Sequence, residues 1–243
     1  MSYVLIIGAK SDIAKATARE YAKNGYDLYL AARNVSELEA FAQDVITRTQ
    51  KEVKLVELNI LDYKSHQTFY ENLNEKPLGV ISAVGYLGDQ ERAELNFDEA
   101  KKIIDTNYTG LVSLFNIIAT DFEKRKSGFI VGISSVAGDR GRKSNYIYGS
   151  AKAAFTAYLS GLRNRLYDAS VHVLTVKPGF VATKMTEGMD LPEKLTAQPE
   201  EVASDIYKAQ KKGKNIIYTK WIWKWIMLII CNIPEFQFKK MSI

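Results

Sequence analysis

Ser134-Ser135-Val136-Ala137-Gly138-Asp139-Arg140-Gly141-Arg142-Lys143-Ser144-Asn145-Tyr146-Ile147-Tyr148-Gly149-Ser150-Ala151-Lys152 joins an apolar, strand-type run at residues 129–133 to an alanine- and aromatic-rich segment that reads as a helix from about residue 146. Positions i and i+4 of a helix share a face, so Tyr148 and Lys152 point the same way. A free tyrosine, with a pKa of about 10, is a poor acid–base group near neutrality, but an adjacent cation stabilises its phenolate and lowers that value. The Ser135 hydroxyl, at the end of the preceding strand, can donate to a carbonyl oxygen on which negative charge grows as hydride arrives. These groups suit carbonyl reduction, or alcohol oxidation in reverse. A bare Tyr-x-x-x-Lys also arises freely on amphipathic helices, so its surroundings must decide.

Upstream, Tyr3 to Gly8 is an apolar, β-branched run too short for a helix, which fits a buried parallel strand. A turn at Ala9-Lys10-Ser11-Asp12-Ile13-Ala14 leads into a helical pattern to about Lys23, closed by Asn24-Gly25. Strand, tight turn and helix N-terminus make an anion-binding arrangement, because unpaired N–H groups and the helix dipole converge there. Further strands are expected at Leu28–Ala31, Val53–Leu58, Gly79–Ala83, Val171–Val176 and Ile216–Tyr218. Asn34 with Glu37, and Asn96 with Glu99, have the spacing of capping boxes, the second opening a long helical segment to about Lys126. Pro199 fits the first position of a late helix.

Ser135 stands thirteen positions before Tyr148, and with Lys152 this pattern resembles the short-chain dehydrogenase/reductase family. The resemblance implies a single-domain α/β Rossmann fold, doubly wound, with a parallel sheet of about seven strands and helices on both faces. It implies catalytic roles for Ser135, Tyr148 and Lys152. In Asp105-Thr106-Asn107-Tyr108-Thr109-Gly110 it makes Asn107 the residue that bends its helix and links the lysine to solvent through a water. A buried asparagine with purely structural bonds is the other reading.

The remaining motifs match unevenly. Of the family's T-G-x-x-x-G-x-G turn only Gly8 is kept, with Asp12 and Ala14 replacing two glycines. Cofactor contacts are expected at Gly8, Lys10, Ser11, Asp12 and Ile13, although a carboxylate beside a pyrophosphate repels unless it turns away. Asn59-Ile60 stands where the family contacts adenine, and Ala83, Val84 and Gly85 occupy the place of its N-N-A-G. Arg33, at the end of the second strand with no acid there, selects NADP(H) over NAD(H) together with Lys10. The Pro178-Gly179-Phe180-Val181-Ala182-Thr183 loop matches the family's P-G-x-V-x-T. The resemblance implies cofactor contacts at Pro178, Gly179, Val181 and Thr183, and at Tyr148 and Lys152, with the nicotinamide carboxamide held by the backbone near Val181 and the Thr183 hydroxyl. Residues 184–197 take the place of a substrate lid.

A chain of 243 residues with 47% hydrophobic residues can form one large domain, here residues 1–220, followed by an apolar and basic tail at 221–243. The net charge of +5 comes from dispersed lysines and arginines, which argues against nucleic acid. Cys231 is the single cysteine, so no internal disulfide forms, and no signal-type segment precedes the first strand. A cytoplasmic location is expected. His66 and His172 are far apart in the chain, and no metal site is expected. The tail run Trp221–Ile233 is too short to span a bilayer, which needs about 20 apolar residues. It suits either a helix packed on the domain or a partner, or a peripheral contact with a membrane surface.

The tail and Gly85-Tyr86-Leu87-Gly88-Asp89-Gln90 resemble a narrower branch whose members reduce a keto-sugar carried on polyprenyl phosphate. Arg140, Arg142 and Lys143 can then meet a phosphate, or form a solvated basic loop. A soluble ketone, acyl thioester or steroid is an alternative substrate, and a non-catalytic NADP-binding scaffold the alternative class. The family resemblance also implies a homo-oligomer.

Overall fold

The computed structural model describes residues 2–241. Met1, and Ser242 and Ile243 of the expected 221–243 tail, lie outside the described residues. The elements in chain order are β1 (Tyr3–Ile7), α1 (Asp12–Lys23), β2 (Asp27–Ala32), α2 (Glu39–Thr49), β3 (Val53–Glu57), α3 (His66–Glu71), β4 (Gly79–Ser82), α4 (Gln90–Leu95) and α5 (Phe97–Ile104). They continue with α6 (Gly110–Arg125), β5 (Phe129–Ile133), α7 (Tyr146–Arg165), β6 (His172–Pro178), β7 (Phe180–Val181), β8 (Thr196–Ala197), α8 (Pro199–Lys211), β9 (Ile216–Thr219), α9 (Ile222–Asn232) and α10 (Glu235–Phe238).

Seven strands form one parallel sheet in the order β3-β2-β1-β4-β5-β6-β9, and β7 pairs with β8 in a separate two-residue ladder. β1 shows why the strands read as unbroken apolar runs, since both its faces are covered. Tyr3, Leu5 and Ile7 pack with Tyr70, Leu114, Phe115, Phe155 and Leu159 on one side, while Val4 and Ile6 pack with Ala18, Tyr21, Val45 and Ile206 on the other. Helices α3, α6 and α7 thus cover one face and α1, α2 and α8 the opposite one. The chain leaves β1 for β2 and β3 on one side, then crosses to β4 on the other. Between β1 and β4 the flanking loops diverge, which opens a crevice at the carboxyl ends of the strands.

Local details depart from expectation in two places. Asn34 adopts a left-handed backbone (φ 50°) and makes no side-chain cap; Glu57 accepts from the Asn34 and Val35 N–H groups instead, and Glu37 pairs with Lys10. Asn96 does cap α5, through the Asp98 N–H, but Glu99 turns away to accept from the Tyr86 hydroxyl at 2.7 Å. The expected long helix is α5 and α6 joined by a π-turn at Asp105–Thr109, which contains Asn107. Among the described residues, no helix is long and apolar enough to cross a membrane.

Candidate active site

Ser134 and Ser135 leave β5 in opposite directions. Ser134 is buried and donates to the Lys152 carbonyl at 2.9 Å, also meeting the Thr156 hydroxyl at 2.7 Å, so it fastens α7 to the sheet. Ser135 faces the crevice that Tyr148 also lines, and its hydroxyl accepts from the Ala137 N–H at 3.1 Å. The approach of α7 to this loop depends on Gly149, because a Cβ there would lie 2.7 Å from the Ala137 carbonyl oxygen.

Lys152 lies one turn below Tyr148, its ammonium 5.7 Å from the phenol ring centre. That ammonium donates to the carbonyls of Ile133 (3.2 Å) and Val84 (3.3 Å), the carboxyl ends of β5 and of the β4 segment. Burial disfavours both charged forms and so opposes the lowering of Tyr148 expected from Lys152. The phenol is pushed up to about 12 by burial, with Ser135 opposing, and the amine is pushed down to about 7 by burial. Tyr148 is consequently a protonated donor at neutral pH.

Asn107 is fully buried. Its Nδ2 donates to the carbonyls of Tyr86 (2.7 Å) and Ile103 (2.8 Å), and its Oδ1 accepts from the Tyr86 N–H at 3.2 Å. The π-turn supplies the room for this clamp, and the clamp shapes the loop after β4. Gly85 sits at the junction: a Cβ there would lie 3.3 Å from Met185, 3.8 Å from Asn107 Oδ1 and 3.9 Å from Lys152 Nζ.

Two cavities share a rim of Lys10, Ser11, Ala83, Val84 and Gly85. The larger, about 660 Å³, takes in Gly8, Arg33, Asn59 and Ile60 along the β1–β2–β3 edge. The smaller, about 210 Å³, takes in Asp12, Ile13, Ser135, Tyr148, Lys152, Pro178, Gly179, Val181, Thr183 and Met185. The sequence-expected residues other than the buried Asn107 therefore line one bent groove. Its elbow is Gly8, whose φ of +78° suits glycine and whose missing Cβ would stand 2.9 Å from the Val84 nitrogen. The N–H groups of the first turn of α1 have no carbonyl of their own helix to bond and open onto this elbow.

Asp12, on the lining of the smaller cavity, accepts from the Lys184 N–H at 2.9 Å, while Ser11 caps the helix through the Ala14 N–H. Arg33 lines the larger cavity with an exposed side chain; Lys10 is engaged with Glu37 at 2.6 Å and with the Arg33 carbonyl at 3.4 Å. Asn59 spends its side-chain oxygen on the Leu61 N–H. Among the described residues, no group of three His, Cys, Asp or Glu side chains is placed to hold a metal ion.

Three features escaped the sequence reading. Lys102 in α5 and Thr106 in the following π-turn also line the larger cavity, and their i,i+4 spacing was the available signal. Asp139 accepts from Lys177 at 2.5 Å and from the Tyr218 hydroxyl at 2.8 Å, joining the Ser135 loop to β6 and β9. Nothing in the sequence marks that pairing, because its members are 38 and 79 residues apart. Arg140 is not part of a solvated loop. It donates to the carbonyls of Ile230 (2.5 Å) and Ile233 (2.7 Å) and to Glu235 (2.9 Å), which fastens the tail. Arg142 is likewise drawn against Met227.

The tail reaches the site directly. Trp223 and Met227 are buried against Val136, and the Trp223 indole occupies the space beside Gly179, where an added Cβ would lie 2.0 Å away. The same ring stands edge-on to Phe180 (5.1 Å between centres) and donates to the Leu195 carbonyl at 3.0 Å.

A short chain dehydrogenase family model matches residues 2–194. The chain belongs to the short-chain dehydrogenase family. An uncharacterised oxidoreductase of Mycobacterium tuberculosis is 35% identical, the match covering 98% of this chain and 96% of the relative. An NADP-dependent 3-hydroxy acid dehydrogenase of Schizosaccharomyces pombe is 29% identical, with 88% of each chain covered. The fold is that of a short-chain dehydrogenase from Sphingobium yanoikuyae in complex with NADPH, with a TM-score of 0.84, 23% identity and 97% of each chain covered. This protein is an oxidoreductase of the short-chain dehydrogenase type.

Proposed function

We propose that the protein reduces a ketone to a secondary alcohol with NADPH. The observation that carries this reading is the pair of hydroxyls, Ser135 and Tyr148, brought into the smaller cavity together with Lys152. The groove fits a dinucleotide: a glycine elbow, open helix N–H groups and an exposed Arg33 at the far end, suited to a 2′-phosphate. Gly8, Ser11 and Ile13 would hold the pyrophosphate, and Pro178, Gly179, Val181 and Thr183 the nicotinamide. The reduced nicotinamide supplies the hydride when bound. Ser135 donates to the substrate carbonyl oxygen and fixes its position. Tyr148, kept protonated by its burial, delivers its proton to that oxygen as negative charge develops. Lys152 Nζ and Asn107 Oδ1 stand 3.9 and 3.8 Å from where a Gly85 Cβ would lie, and the proposal has the proton on Tyr148 replaced past these two side chains.

For the finer identity of the substrate, the proposal is a keto-sugar carried on polyprenyl phosphate, supported by the apolar outer side of the tail beside the lid. NADPH oxidation by wild type and Tyr148→Phe, with a short-chain polyprenyl-phosphate keto-furanose and in parallel with a soluble ketone, tests both levels. Removal of the phenol is expected to lower turnover by about a hundredfold or more with whichever substrate is reduced. Full turnover in Tyr148→Phe refutes the assignment. Tight NADPH binding without turnover on any ketone favours the scaffold reading.

A further inference from the structure

Helix α9 has two unlike faces. Trp223 and Met227 face inward, whereas Trp221, Ile222, Trp225, Leu228 and Ile229 recur at i, i+3, i+4 and i+7 spacing on the outside and are exposed. Trp225 is 53% and Ile229 68% exposed, which is far from the burial such side chains reach when something covers them.

The segment itself is basic: Lys220, Lys224, Lys239 and Lys240 lie along it, and its sole acid between residues 220 and 241, Glu235, is paired with Arg140, while Glu200, Glu201 and Asp205 share a surface cleft with Lys220 and Trp221 at its start. An outer face of tryptophan and aliphatic side chains edged by lysines is complementary to the headgroup boundary of an anionic bilayer. With 11 residues, α9 spans only about 16 Å along its axis, so it can lie in such a boundary but not cross it. The Arg140 contacts hold its carboxyl end on the domain, and the Lys220 ammonium donates to the Lys194 carbonyl of the lid at 3.3 Å.

We infer that the outer face of α9 docks the protein on the surface of an anionic membrane, setting the lid and the mouth of the smaller cavity at the lipid boundary. This inference does not depend on the proposed chemistry, because docking is read without turnover.

The experiment is co-sedimentation of the full chain with vesicles of three parts phosphatidylcholine to one part phosphatidylglycerol, beside vesicles of phosphatidylcholine alone. Wild type is expected to pellet with the anionic vesicles and to be released as salt is raised to about 0.5 M. Trp225→Glu/Ile229→Glu, which touches neither cavity, is expected to lower partitioning about tenfold or more while the unfolding temperature is held. Lys239→Glu/Lys240→Glu, fully surface changes, is expected to weaken binding to anionic vesicles selectively. The inference is overturned if wild type stays in the supernatant, or if both variants bind as wild type does. It is equally overturned if lipid-free wild type is a dimer that Trp225→Glu/Ile229→Glu dissociates, since a second copy then covers this face.

Discussion

Removing the Asp139 carboxylate tests how the ends of β5 and β6 are held together. The Asp139 and Lys177 side chains are 9% and 10% exposed, and Tyr218 completes the cluster. Deleting one member of a buried ion pair strands the other charge, at about 3–5 kcal/mol, and the Tyr218 hydroxyl loses its acceptor as well. These losses overlap, so Asp139→Ala is expected to cost about 4 kcal/mol, or roughly 8–16 °C in a chain of this size. Asp139→Leu/Lys177→Met removes both charges and is expected to lose less than about 2 kcal/mol. Equilibrium urea unfolding of the wild type, both single variants and the double variant gives the cycle. Ser135 follows β5 and Pro178 ends β6, so kcat/KM should fall in Asp139→Ala and recover partly in the double variant. If Asp139→Ala costs under about 1 kcal/mol, or the double variant is as unstable as the single one, the pair does not carry the load assigned to it.

Three further outcomes follow from the site. Burial brings Lys152 from its usual 10.5 down to about 7, so between about pH 7 and 10 the unfolded chain binds the proton that the folded chain has lost. Stability therefore rises with pH there, by up to about 1.4 kcal/mol per unit, relative to Lys152→Met; a flat or falling difference in urea midpoints contradicts the assignment. Arg140→Ala should leave the sheet intact but raise hydrogen exchange over residues 230–241 by about tenfold or more, and unchanged protection there would show that the tail is held otherwise. Gly8→Ala combines a left-handed φ with a backbone clash and is expected to cost about 2–4 kcal/mol and to abolish NADPH binding, which isothermal titration and thermal unfolding check together.

The sheet and its helices were legible because buried parallel strands and amphipathic helices announce themselves by apolar runs and periodicity, as in β1 and α1. The Ser135, Tyr148 and Lys152 constellation was legible for a similar reason, being local: one strand end and one helix turn. The protonation balance was not, because the i,i+4 spacing of Tyr148 and Lys152 shows proximity but not that both lie in a poorly hydrated interior, where burial outweighs attraction. The capping boxes at Asn34 and Asn96 failed where a more distant partner won, Glu57 in the first case and Tyr86 in the second. The place of Arg140 could not be read either, since its partners are main-chain carbonyls some 90 residues on.

The bond between Asp12 and the Lys184 N–H joins the start of the first helix to the start of the lid, across 172 residues of chain. A negative group seated at the glycine elbow repels the Asp12 carboxylate outward, toward the amide it already holds. Occupancy of the elbow and the placement of the Lys184 amide are then thermodynamically linked, and the linkage must act equally in both directions. A substrate that settles the lid tightens the grip on the dinucleotide by the same factor. An aspartate where the family keeps glycine thus ties the phosphate-binding turn to the segment that begins at Lys184.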